Sequence, residues 1–63
     1  MNIVVKPTNV LGTNVGNLWD VFEDNIFKGR CQYEGNILKW TGKIKPFIKL
    51  NIIEPLIEQL YKD

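Results

Sequence analysis

Residues 30–50, RCQYEGNILKWTGKIKPFIKL, alternate between apolar and polar positions and turn on Gly35-Asn36. That dipeptide is a two-residue signal for a hairpin with a primed turn. Taking it as the loop sets Glu34 opposite Ile37, Tyr33 opposite Leu38, Gln32 opposite Lys39 and Cys31 opposite Trp40. Opposed residues share a face of the sheet. One face then carries Cys31, Tyr33, Leu38 and Trp40, and the other Gln32, Glu34, Ile37 and Lys39. This sorting into an apolar and a mostly polar set is independent of the turn assignment and supports it.

Beyond Trp40 the next break is Thr41-Gly42-Lys43. A tight two-residue loop there would mix the faces, so parity predicts an odd loop or a kink at Gly42. A third strand follows, with Ile44, Ile48 and Leu50 turned inward and Lys45, Phe47 and Lys49 outward. Pro46 lacks an N–H and makes that strand an edge or bulged one.

Upstream, Ile3-Val4-Val5-Lys6 is a short β-prone run that Pro7 ends or confines to an edge. Thr8–Gly16 has the composition of a surface loop. Its Gly12 and Gly16 run into Asn17-Leu18 instead of the Gly-Lys-Ser/Thr of a phosphate-binding loop. Asn17–Lys28 predicts a helix: Leu18, Trp19, Phe22 and Ile26 fall on one stripe, Asn17 suits the N-cap and Gly29 the position past the end. Val21 and Phe27 fall outside that stripe, either as a second contact site or as packing against the first strand or the loop. Downstream, Ile53, Leu56, Ile57, Leu60 and Tyr61 predict a second helix over Asn51–Asp63, regular from Pro55, the first helical position. The expected architecture is α+β in the order β-α-β-β-β-α. A three-stranded antiparallel meander plus a short N-terminal strand is covered on one face by two helices.

Composition narrows the chemistry. The 63 residues make a single small domain, 1–63, whose stability is marginal without a dense core or a partner. Cys31 is the only cysteine and histidine is absent, which excludes a disulfide within the chain and a Cys/His zinc site. Without histidine, general acid–base catalysis loses its usual agent. Asp20, Glu23, Asp24, Glu54 and Glu58 read as solvated helix faces, and Cys31 as an inward filler. No enzyme activity, cofactor or metal is expected.

The net charge of +1 is unevenly spread. Residues 28–49 hold Lys28, Arg30, Lys39, Lys43, Lys45 and Lys49 against Glu34, and both flanks are acidic. The N-terminus has no secretory leader pattern, and no apolar run is long enough to span a membrane. A lone cysteine fits a reducing compartment, so a cytoplasmic location is expected. Ile, Lys and Asn supply 22 residues, the bias of an AT-rich genome, which suits a small phage or plasmid product.

The expected contact surface is the sheet face without helices, showing Arg30, Ile37, Lys39, Lys45, Phe47 and Lys49, with Lys43 at the loop. A bland alternative is a solvated charged surface that balances the acidic flanks. As a protein contact, Ile37 and Phe47 form an apolar centre within a lysine rim that matches an acidic partner. This is the first expectation, an inhibitor or accessory, regulatory factor acting by protein binding. A nucleic-acid interface is the second, with lysines on phosphates and Phe47 stacked on a base. Pairing of two copies into a homodimer is a third. A membrane is not among the expected partners.

Overall fold

The computed structural model describes residues 2–62, with the backbone alone for Lys62. The chain forms a four-stranded antiparallel meander followed by one helix, which overturns the expected β-α-β-β-β-α order. The strands are β1 (Ile3–Val10), β2 (Thr13–Glu23), β3 (Ile26–Glu34) and β4 (Ile37–Gly42), adjacent in chain order. The continuous helix α1 comprises Pro46–Ile48, a π turn at Lys49–Ile53 and Glu54–Lys62.

Three two-residue turns dictate the meander. Leu11-Gly12 has φ of 51° and 83°, and Asp24-Asn25 has 52° and 69°. Positive φ at both central residues is the type I′ turn, whose twist matches that of flanking strands. At Gly35-Asn36 only Gly35 (φ 64°) is positive, as in a type II′ turn. The register there is the one read from the alternation, Glu34 opposite Ile37 through Cys31 opposite Trp40.

The Asn17–Lys28 segment is therefore not a helix but most of β2, a turn and the start of β3. Trp19 and Val21 lie on the inner face, and both are buried. Leu18, Asp20 and Phe22 lie on the outer face, where two of the three are apolar and hide the alternation. Thr8–Gly16 is likewise not a free loop: it is the paired end of β1, the Leu11-Gly12 turn and the start of β2. β1 runs past Pro7 as an edge strand whose register breaks between Pro7 and Asn9, the place a sheet tolerates a missing donor.

The expected third strand after Gly42 is the connector and the first turns of α1. Lys45 is extended (φ −63°, ψ 139°) and Pro46 opens the helix, since proline disfavours helical geometry in the residue before it and suits the first helical position. Inside the helix the buried positions are Ile48, Ile53 and Ile57, with Ile44 just before it. Ile53 lies five positions after Ile48. A regular α-helix would leave them about 140° apart. The π turn absorbs the extra residue, with the Glu54 N–H donating to the Lys49 carbonyl five positions back. Pro55 follows immediately. In a regular helix its ring would meet the carbonyl four residues earlier, and the wider turn opens that spot. The expected helical start at Pro55 is thus an interior proline, and the expected last residue, Asp63, lies outside the described residues.

The helix lies on the inner sheet face. The core comprises Trp19, Val21, Cys31, Ile44, Ile48, Ile53 and Ile57, bordered by Ile3, Val5, Tyr33, Leu38, Trp40 and Ile52. Gly29 and Gly42 face each other where the chain leaves β4. A Cβ on Gly42 would stand 2.3 Å from the Lys28 carbonyl oxygen, which accepts the Lys43 N–H, so the crossing requires glycine.

Candidate functional site

The sheet face opposite the helix is uncovered among the described residues, and its registers form cross-strand rows. One row is Lys6–Asp20–Arg30–Thr41, the next Leu18–Gln32–Lys39, with Glu34–Ile37 beyond it and Val4–Phe22–Phe27 on the other side. A bulge opposite Val21 and Phe22, with Lys28 as its extra residue, re-aims the start of β3 so that Phe27 stands opposite Phe22 on this face.

Phe22 and Phe27 meet edge to face, with centroids 5.7 Å apart. The Lys6 ammonium lies 5.4 Å from the Phe22 ring and the Arg30 guanidinium 5.7 Å from the Phe27 ring. Both distances lie within the range of cation–π attraction. Phe27 is half exposed, as are its neighbour Ile26 and, farther along, Ile37.

The charges of this face are largely spent on one another. Arg30 Nε donates to Asp20 Oδ1 at 2.7 Å, and the buried Thr8 hydroxyl donates to the same oxygen at 2.7 Å. Lys39 pairs with Glu34. Asp20 thus ties β1, β2 and β3 together, which corrects its assignment to a solvated helix face.

The expected contact set divides in two. Arg30, Ile37 and Lys39 lie on the uncovered sheet face. Lys43, Lys45, Phe47 and Lys49 do not: they belong to the connector and the start of α1, because Pro46 opens a helix where a strand was expected. Phe47 is 65% exposed, and the Lys49 ammonium lies 5.5 Å from the Trp40 ring. The sheet face gains Lys6 and Phe22, which sequence reasoning missed, and Phe27, which it left as one half of a second contact site with the buried Val21. Their trace in the sequence was the pair Val21 and Phe27, which the helical stripe left unplaced.

On the helix side, Trp19, Tyr33 and Tyr61 cluster. Tyr33 and Tyr61 stack at 4.6 Å, and Trp19 meets both edge-on. Burial, followed by the carboxylates of Glu58 and Glu54, pushes the Tyr33 phenol upward. Beside this cluster runs a groove of about 380 Å³ lined by Val5, Pro7, Asn14, Val15, Gly16, Trp19 and Leu60.

Cys31 is buried under the helix, and its thiol is pushed up to about 11, first by burial and then by the Asp20 carboxylate. A thiol held neutral is a poor nucleophile and metal ligand. Among the described residues no group of three His, Cys, Asp or Glu side chains stands close enough to hold a metal ion. Nor, among them, is any helix long and apolar enough to cross a membrane. No protein-family model, curated protein or solved structure matches the chain.

Proposed function

We propose that this chain is a small non-enzymatic binding protein of the cytoplasm, an inhibitor or accessory factor that docks its uncovered sheet face on a protein partner. The observation that carries this reading is the Phe22–Phe27 pair, an apolar centre on the one sheet face that the helix leaves open. Protein interfaces have an apolar, aromatic centre within a polar rim. Here the rim is Lys6, Arg30, Asp20, Gln32, Lys39 and Glu34. Its charge is nearly balanced, so the matching surface carries both signs instead of the purely acidic patch expected from the sequence.

A nucleic-acid surface is the second reading, and the two phenylalanine rings with a cation on each favour it, since such rings stack on bases. The Asp20–Arg30 and Glu34–Lys39 pairs weaken it, because they occupy two of the face's three cations. Affinity capture after nuclease treatment identifies the partner, and titration calorimetry then measures its affinity. A central aromatic anchor contributes 2 kcal/mol or more, so Phe27→Ala is expected to weaken binding by roughly 30-fold. Capture that vanishes with nuclease, together with an electrophoretic shift of generic DNA or RNA, would establish the second reading in its place.

A further inference from the structure

We infer that the start of α1 and the connector before it dock on an anionic lipid surface, a contact separate from the sheet face. No acidic residue occurs between Glu34 and Glu54, and four lysines do: Lys39, Lys43, Lys45 and Lys49. Lys39 is paired with Glu34, whereas Lys43, Lys45 and Lys49 form no ion pair among the described residues. Within the same short stretch stand Phe47, 65% exposed, and Leu50, 63% exposed, one turn apart on the solvent side of the helix. Their neighbours Ile44 and Ile48 point the other way and anchor the stretch to the core.

The charge of this patch, unlike that of the sheet face, is unanswered and of one sign, so its complement is an anionic surface. Its apolar part selects which kind: Phe47 and Leu50 both stand exposed on the helix beside these lysines. A lipid interface needs no shaped counterpart: Phe and Leu enter the headgroup–acyl boundary while lysines meet acidic headgroups. Two apolar side chains and three cations give weak, reversible attachment.

The test is co-sedimentation of the full chain with phosphatidylcholine vesicles, with and without phosphatidylserine. Binding is expected only where phosphatidylserine is present, and is expected to fall as salt is raised. Lys43→Gln with Lys45→Gln is expected to reduce partitioning about 30-fold, from the usual contribution of a lysine near an anionic leaflet. Lys49 is left in place because it covers Trp40. Phe47→Ser is expected to reduce partitioning without changing its salt dependence, and its circular dichroism reports whether the fold is kept. Three outcomes would overturn the inference: no binding to phosphatidylserine vesicles, equal binding to both vesicle types, or unchanged binding by the folded double-lysine variant. None of these bears on Phe27 and the protein partner.

Discussion

Cys31 has an ordinary packing role and an unusual titration. It stands opposite Trp40 on the inner face with 1% of its surface exposed. Burial comes first among the causes that raise it from 9.0 to about 11, because a thiolate there would lose its hydration. In the unfolded chain the same thiol ionises at its ordinary value. Between the two values the unfolded chain sheds a proton that the folded chain keeps, so stability falls as pH rises through that window and levels off above about 11. At 1.36 kcal/mol per pH unit the loss approaches about 3 kcal/mol. Urea unfolding at stepped pH checks this. The wild type is expected to lose that much more than Cys31→Ala across the window, and parallel curves would show that the thiol ionises as freely folded as unfolded. Asp20 contributes to the effect from the opposite face, where it also receives Thr8 and Arg30. One carboxylate therefore organises the outer face and helps keep the inner thiol neutral.

At the level of elements, the turns decide the architecture, and one of them is built from an ill-suited residue. Leu11 is fully exposed at the tip of the first hairpin with φ of 51°. A left-handed conformation costs a residue with a Cβ about 1–2 kcal/mol, and Leu11 gains no packing in return. Leu11→Asn converts the turn to Asn-Gly, the preferred type I′ pair. It is expected to stabilise the fold by about 1 kcal/mol, raising Tm by about 4–8 °C; thermal denaturation gives the answer, and a lowered Tm would mean that Leu11 packs against something. The same turn explains what the sequence concealed. Gly35-Asn36 announces itself, and the β3–β4 register followed from it. Leu11-Gly12 has a leucine where asparagine, aspartate or glycine would have marked a turn, and Asp24-Asn25 has an asparagine where glycine would have done so, so two hairpins read as a loop and a helix. The stripe of Leu18, Trp19, Phe22 and Ile26 satisfied the helical period, yet it omitted Val21, among the most deeply buried side chains. After Gly42, Ile44 and Ile48 are four apart, a spacing that both an alternating strand and a helix place on one face. Pro46 was the arbiter, and it favours a helix start over a strand interior. The contact set inherited that error: Lys45, Phe47 and Lys49 left the sheet face, and Phe22 and Phe27 replaced them.

For the molecule as a whole, the consequence is an uneven division of the core. The meander contributes Trp19, Val21 and Cys31, whereas the connector and helix contribute Ile44, Ile48, Ile53 and Ile57. Full burial of an isoleucine side chain contributes about 1.5–3 kcal/mol, so the four together supply about 6–12 kcal/mol. The net stability expected of a 63-residue domain is about 3–9 kcal/mol. The sheet therefore lacks the means to stand alone, although each of its hairpins is local and closed by a two-residue turn. A peptide of residues 1–42 is expected to show no dispersed amide spectrum in two-dimensional NMR. Adding a peptide of residues 43–63 is expected to restore the native spectrum, because the broken bond lies in an exposed connector held by the Lys43 N–H to the Lys28 carbonyl. A folded spectrum from residues 1–42 alone would mean that the sheet's own aromatics suffice. In that case Phe22 and Phe27, instead of waiting for a partner, would contribute to a second core on the outer face. The experiment thus tests the division of the core and also whether the uncovered face is free to bind.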